Sequence, residues 1–338
     1  MNLTISDIAK LANVSKSAVS IVLNNKPGVS DKTREKVQGI VKKYNYNPSQ
    51  IAQSLVVRKT KSIGLIITEI DNPFFTKVMK GVYDTCSELG YSVLIGSSEL
   101  SPDKENGIIE NFKSKRLDGF IISPLSGEGV DYLYLSTLLK ENIPFVMLRN
   151  VANYQINLVD IDNVNAAYKA VSYLIKLGHR EIAYLSGPVH SGHGMERLEG
   201  FKQAHLENNI QIKKEFIIQA GSYLPDGYKA GKQFVSSTNQ LPSAIFCYND
   251  LVAIGLINAL NELGIDVPGT VSVIGFDNID FSKYVKTPLT TIDMPAYNIG
   301  RTATHLLIKQ ISQNEKLLNR RIILDAKLIE RGSCRKKM

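Results

Sequence analysis

The chain has 338 residues, of which 43% are hydrophobic and 21% charged, an ordinary globular composition with material for two or three domains. No apolar run approaches the roughly 20 residues that span a bilayer. The start of the chain lacks a basic-then-apolar leader, and Cys86, Cys247 and Cys334 fit neither a disulfide framework nor a zinc spacing. A membrane or secreted protein is therefore not expected; a reduced, cytoplasmic one is. The net charge of +8 lies entirely in residues 1–61, where eleven Lys and Arg face three acids. Residues 62–338 balance at 29 against 29. Basicity confined to a small module predicts that this end meets a phosphate backbone while the larger part does something else.

The first elements are three helices. Thr4 is a predicted N-cap for a helix with Ile5, Ile8, Ala9 and Ala12 on one face, and Asp7 favours its first turn. Ser15 caps a second helix with Val19, Val22 and Leu23 inward. Asn24-Asn25-Lys26-Pro27-Gly28 is a dense turn signal. Ser30 caps a third helix in which Val37, Ile40, Val41 and Tyr44 share a face. Two short helices joined by a tight turn and backed by a third make a helix-turn-helix unit. Lys16, Ser17, Ser20 and Ile21 point outward from the second helix, a set that suits base edges and phosphates in a major groove. The alternative is a three-helix bundle for protein contacts. Beyond Pro48, residues 49–57 are helix-compatible but only about two turns long, and would need DNA or a second copy to order them.

The run from Thr4 to Ser20 (Thr-Ile-Ser-Asp-Ile-Ala-Lys-Leu-Ala-Asn-Val-Ser-Lys-Ser-Ala-Val-Ser) closely resembles the DNA-binding headpiece of LacI/GalR-type bacterial transcription regulators. So do Val22-Leu23-Asn24, Thr33-Arg34-Glu35-Lys36-Val37, Tyr46-Asn47-Pro48 and Ala52-Gln53-Ser54-Leu55. The resemblance implies a headpiece over residues 1–48 and a hinge helix and linker over 49–61. It implies that Lys16 and Ser17 read the major groove, and that Leu55 wedges into a central minor-groove step. On the same match Thr4, Ser15, Ser20, Ile21, Asn24, Arg34, Ala52 and Gln53 join the DNA-contacting set. Ile21 departs from the family, which usually has Arg there; it either touches a thymine methyl or shields the helix surface.

From residue 62 short β-rich runs alternate with amphipathic segments, and the predicted strands are 63–68, 92–97, 119–123, 144–148, 157–161, 181–186, 244–248, 272–276 and 290–293. This alternation predicts two doubly wound parallel sheets, an α/β core, with a cleft at the carboxyl ends of the strands. The core also resembles the family, as a periplasmic-binding-protein-like unit. It carries Asn72-Pro73-Phe74-Phe75, Arg116-Leu117-Asp118-Gly119, Leu177-Gly178-His179-Arg180, Arg197-Leu198-Glu199-Gly200-Phe201, Asn249-Asp250 and Gly275-Phe276-Asp277-Asn278. The resemblance implies crossings between two subdomains near residues 160, 290 and 320. One subdomain then takes 62–160 plus 291–320 and the other 161–290 plus 321–331.

By matching positions the effector site comprises Phe74, Phe75, Arg149, Ser191, His193, Arg197, Tyr223, Asn249 and Asp277. Phe74 and Phe75 offer an aromatic floor or pack in the core; both roles are open. Arg197 and Asp277 are expected to serve the ligand and to be dispensable for folding. Arg149 stands where many sugar-binding members have Asp. An Arg only donates hydrogen bonds, so it admits a ligand carboxylate or phosphate or pairs with a nearby acid. His190 and His193 are spaced for a metal pair but lack an obvious third ligand, and no metal or cofactor is expected. With no phosphate-binding glycine loop and no nucleophile elbow, no enzyme is expected either. The reading is a cytoplasmic, homodimeric, operator-binding repressor controlled by a small molecule, a carbohydrate or its derivative. Alternatives are a purine-responsive regulator, an activator, and a transport-type binding protein.

Overall fold

In the computed structural model, which describes residues 3–46, 59–126, 130–151, 154–189, 191–238, 240–313 and 319–337, the chain forms two units, Met1–Thr60 and Lys61–Met338. The first unit has α1 (Ile5–Ala12), α2 (Lys16–Leu23) and α3 (Asp31–Lys43). Each begins at its predicted cap. Thr4 Oγ1 accepts from Asp7 N while the Asp7 carboxylate accepts from Thr4 N, and Ser15 and Ser30 accept from Ala18 N and Thr33 N. Each such cap contributes about 1 kcal/mol. Asn13 ends α1 with φ of 50°, in the left-handed region that Asn tolerates. Ile8, Ala12, Val19 and Val37 are fully buried. Tyr44, expected inward, is instead 46% exposed, and Tyr46 packs against the core in its place. The helix ends at Tyr44, so periodicity no longer dictates its direction. The expected hinge helix at 49–57 lies outside the described residues.

The second unit is built on two parallel sheets. The first has six strands in the order β11-β5-β4-β3-β1-β2: β1 Ser62–Ile67, β2 Ser92–Ser97, β3 Phe120–Ile122, β4 Phe145–Met147, β5 Leu158–Ile161 and β11 Arg321–Leu324. Helices α4 (Pro73–Glu88) and α11 (Ala296–Gln313) pack together on one face, and α5 (Pro102–Ser114) and α6 (Leu133–Lys140) contribute to the core on the other. The second sheet has four strands in the order β7-β6-β8-β9: β6 Ile182–Ser186, β7 Ile217–Gln219, β8 Ala244–Cys247 and β9 Ser272–Ile274. Helices α7 (Asn163–Lys176) and α8 (Gly192–Glu207) pair, as do α9 (Leu224–Ser237) and α10 (Asp250–Glu262). A two-stranded antiparallel pair, β10 (Thr291–Asp293) with β12 (Lys327–Ile329), accompanies the crossovers.

The chain passes between the lobes at Asp162, after β10, and after Leu324. The last two correct the expectation. Thr290 and Asp293 still bridge to the second sheet, at Ile274 and Asp277, so the return falls after 293. Arg321–Leu324, expected in the second subdomain, is a strand of the first sheet, parallel to β5 in the register Arg321↔Leu158 to Leu324↔Ile161. Strands β7, β11 and β12 were not predicted: each has three or four residues and none is fully buried, so none carries a strong hydrophobic signature.

Three helix pairs, α4 with α11, α7 with α8 and α9 with α10, meet at glycine. A methyl group at Gly200 of α8 would run into the Val164 carbonyl oxygen of α7 and crowd the Tyr168 amide at 2.8 Å. Alanine favours an isolated helix over glycine by about 1 kcal/mol, but overpacking against a rigid backbone costs roughly 1–3 kcal/mol. Gly200→Ala is therefore expected to lower stability in urea unfolding; a raised midpoint would show that α7 and α8 can move apart.

Candidate functional site

On the headpiece, α2 presents Lys16 and Ser17, both exposed, and half-buried Ser20 and Ile21. The polar groups divide into two sets. Thr4 and Ser15 are engaged as caps. Asn24 Nδ2 donates to Ser20 O at 2.8 Å, and Arg34 braces the turn by donating to Asn25 Oδ1 at 3.2 Å and Lys26 O at 2.6 Å. Ser17 Oγ bonds Ser15 Oγ at 2.7 Å. Lys16 makes no hydrogen bond or ion pair among the described residues. Ile21 lies beside the turn, its Cδ1 3.9 Å from where a side chain at Gly28 would begin. Ala52, Gln53 and Leu55 lie outside the described residues.

In the second unit a cavity opens where the parallel strands of both lobes end, as the winding of such sheets requires. Thr68, Glu69 and Asn72 come from the loop after β1, Ser123 and Pro124 follow β3, and Arg149 follows β4. Ser191, Gly192 and His193 open α8, Arg197 lies one turn on, Tyr248 and Asn249 follow β8, and Asp277 follows β9. Phe74 and Phe75, at the start of α4, also line it. Phe75 is 5% exposed and belongs to the core, whereas half-buried Phe74 packs against it edge-on. Eight of the nine expected residues thus line one cavity. Tyr223 does not; its hydroxyl donates to Asp71 Oδ1 at 2.8 Å.

Arg197 is the most deeply held group. It is 3% exposed and sits 3.7 Å from the Phe276 ring centroid and 4.8 Å from that of Tyr248. It donates to the Tyr248 carbonyl, to Asn163 Oδ1 at 3.4 Å and to Asp277 Oδ1 at 3.4 Å. Asn249 Oδ1 caps α10 at Val252 N and its Nδ2 donates to Ser222 O at 2.9 Å. The expectation that Arg197 and Asp277 are dispensable for folding is corrected: both are knitted into the second lobe.

Several bonds cross the cleft. Ser222 donates to Glu69, Tyr223 to Asp71, and Lys77 Nζ meets Asn278 O and Asp280 Oδ1, both at 3.1 Å. His193 Nε2 lies 3.8 Å from Asp160 Oδ1 and Arg149 Nη2 3.7 Å from Glu196 Oε1. The enclosed space is about 40 Å³, against roughly 300–1,000 Å³ for a typical small-molecule pocket. The lobes are closed on the site, so entry of a ligand requires some of these bonds to break.

Burial dominates the electrostatics. It pushes Asp160 up to about 8 and Asp277 up to about 7, the latter against the pull of Arg197. It raises Glu69 and Glu196 and holds His193 well below the ordinary imidazole value. Asp160, His193 and Glu196 have ligand atoms within 4.8 Å of one another, a grouping the sequence reading missed because Asp160 and Glu196 belong to different elements. His190, the other half of the expected metal pair, lies outside the described residues. Tyr248, Glu69 and Asn72 were also missed; their only signal was adjacency to Asn249 and to the Asn72-Pro73 turn.

Residues 4–49 match the model of the bacterial regulatory proteins of the lacI family, and residues 171–334 match a periplasmic binding protein-like domain. The HTH-type transcriptional repressor PurR of Proteus mirabilis is 37% identical over 333 residues, covering 98% of this chain and 96% of that protein. PurR of Histophilus somni is 35% identical over 314 residues, covering 93% of each. Among solved structures, the lac repressor dimer bound to operator and the anti-inducer ONPF superposes with a TM-score of 0.89 at 26% identity, covering 99% of this chain and 100% of that one. The transcriptional regulator CelR–cellobiose complex gives 0.74 at 25%, covering 98% and 99%.

Two outcomes follow from the buried charges. Arg197→Ala strands Asp277 and the Tyr248 carbonyl, so it is expected to cost about 3–5 kcal/mol in urea unfolding, and Asp277→Asn less; wild-type stability for Arg197→Ala would mean that the pair is not buried as described. Asp160 and Asp250, the latter also pushed by burial up to about 8, are charged at neutral pH when unfolded but hold protons when folded. Folding therefore takes up protons below those values. Stability should rise by roughly 2 kcal/mol per group as pH falls from about 8.5 to about 6.5, read from urea midpoints at both pH values, whereas a fall would refute the assignment.

Proposed function

The chain belongs to the LacI family of bacterial regulatory proteins, and from that membership we propose a cytoplasmic homodimer in which two headpieces grip an operator and an effector in the interlobe cleft sets their spacing. It is a DNA-binding repressor controlled by a small molecule. The observation that carries the finer reading is the convergence of Phe74, Arg149, Ser191, His193, Arg197, Asn249 and Asp277 at one cavity. A carbohydrate or carbohydrate derivative fits a cleft with one aromatic face and many directed polar groups. The chain acts by binding and not by turnover. No helix among the described residues is long and apolar enough to cross a membrane.

The mechanism is linkage. Effector and operator favour different or identical arrangements of the two lobes, and each changes the other's affinity by the same factor. At the operator, exposed Lys16 and Ser17 supply phosphate and base-edge contacts, and Leu55 the minor-groove wedge. The headpiece reading is supported by its net charge, since a groove-facing module gains affinity through released counterions.

Lys16→Ala should weaken operator binding and flatten its salt dependence by about one ion. Ile21→Arg should change the bases selected from a randomised operator library, since a charge acting on phosphates alone tightens all sequences alike. Fluorescence anisotropy and selection read both. An unchanged selected motif would assign Ile21 to shielding the helix, and unchanged operator affinity on losing Lys16 would count against α2 as the reading helix.

A further inference from the structure

The groups that line the cleft are mostly satisfied by the protein itself, and what is left over has one character. Glu69 accepts from Ser222, Asp277 from Arg197, and Asn249 is committed at both ends. Ser191 Oγ accepts from Gly194 N at 3.1 Å and bonds the Tyr248 hydroxyl at 2.9 Å. Three shielded side-chain atoms near α8 have no hydrogen-bond partner among the described residues: Arg149 Nε, His193 Nε2 and Asn163 Nδ2. The first and last are obligate donors and the histidine nitrogen is a donor in one tautomer. Asn163 is 2% exposed, and its Oδ1 already accepts from Arg197.

Arg149 stands at a place that compounds the imbalance. Its guanidinium lies directly over Gly192, the first residue of the 16-residue helix α8; a side chain there would collide with the guanidinium carbon. Ser191 caps only Gly194 N, and Met195 N turns back to Ser191 O. The amides of Gly192 and His193 belong to a first turn that has no intrahelical acceptors. A cation stacked on the positive end of a helix is unfavourable unless negative charge joins them. Of the acids near Arg149, Glu196 is 3.7 Å away, a loose pair without a hydrogen bond, and Asp160 is held protonated by burial.

We propose that the effector is an acidic small molecule, a polyol or sugar carrying a carboxylate or phosphate, whose anionic group sits between Arg149, His193 and the first turn of α8 while its ring or carbon chain lies against Phe74. The proposal rests on the reading of the cleft as the effector site. The anion takes over from Glu196 as the partner of Arg149. Glu196, which burial already disposes to protonate, then gives up its charge or turns to solvent. Gly192 is required because only a residue without a side chain lets the guanidinium lie on the helix.

The test is calorimetry on the full chain with matched probes: glucose, galactose and ribose; gluconate, glucuronate and galacturonate; glucose 6-phosphate and ribose 5-phosphate; and hypoxanthine as a neutral heterocycle. An acidic member is expected to bind at least ten-fold more tightly than its neutral counterpart. Arg149→Gln should lose that preference, with a roughly ten- to hundred-fold drop for the acidic probe. Arg149→Lys, which keeps the charge without the fork, should lose less. The carboxylate and phosphate arms show which anion the site takes. Binding by neutral members alone, or by no acidic member, overturns the proposal. If an acidic probe binds and Phe74→Ala weakens it while Arg149→Gln does not, the cleft stands and the role of Arg149 falls. If neither substitution moves it, the ligand lies elsewhere and the cleft reading falls too. Should Arg149→Gln not fold, the preference for acidic over neutral probes in the unaltered chain decides alone.

Discussion

The structure of the second unit turns on one buried cation. Desolvating a guanidinium costs several kcal/mol, and the cost is offset only when its donors and both faces are occupied. Arg197 meets that demand with Asp277, Asn163, the Tyr248 carbonyl and the rings of Phe276 and Tyr248. Those partners come from the start of α7 and the ends of β8 and β9. The side chain thus fixes the start of α8 relative to the strand ends that frame the cleft. It makes a wall of the cavity.

Against that fixed wall, the contacts between lobes are of a weaker kind. Tyr223–Asp71, Ser222–Glu69 and Lys77–Asp280 are single hydrogen bonds or partly exposed ion pairs. The exposed ion pair is worth about 1 kcal/mol or less, and each hydrogen bond to a carboxyl group about 1–3 kcal/mol. A closed arrangement held by so few such bonds lies within reach of the differential binding energy of one small molecule. This is the property a ligand-controlled regulator needs.

The chain departs from the pattern of its family at both ends of this linkage. Ile21 stands on α2 and Arg149 at the cleft. At Ile21 the departure removes a charge and leaves a half-buried apolar side chain against the turn at Gly28. At Arg149 it adds a charge at a helix start that has donors to spare. Family membership therefore leaves both the operator and the effector open.

Sequence by itself determined the local elements and the broad architecture. Caps at Thr4, Ser15 and Ser30, the turn at Asn24–Gly28, and the alternation of buried strands with amphipathic helices are written in nearest neighbours and short periods, so they are legible without a fold. Eight of the nine residues that the resemblance assigned to the effector site line the cavity. Tertiary structure decided what depends on partners distant in the chain. Arg321–Leu324 joins the first sheet because β5 offers it an edge, not because its own pattern demands it. Tyr44 turns outward because its helix has ended. Tyr223 bonds to Asp71, 152 positions away, and so leaves the cavity. The meeting of Asp160 and Arg149 with His193 and Glu196 is likewise a product of chain crossing. Hydrogen bonds and ion pairs act over a few ångströms of space, and only the folded chain sets which charges share that space.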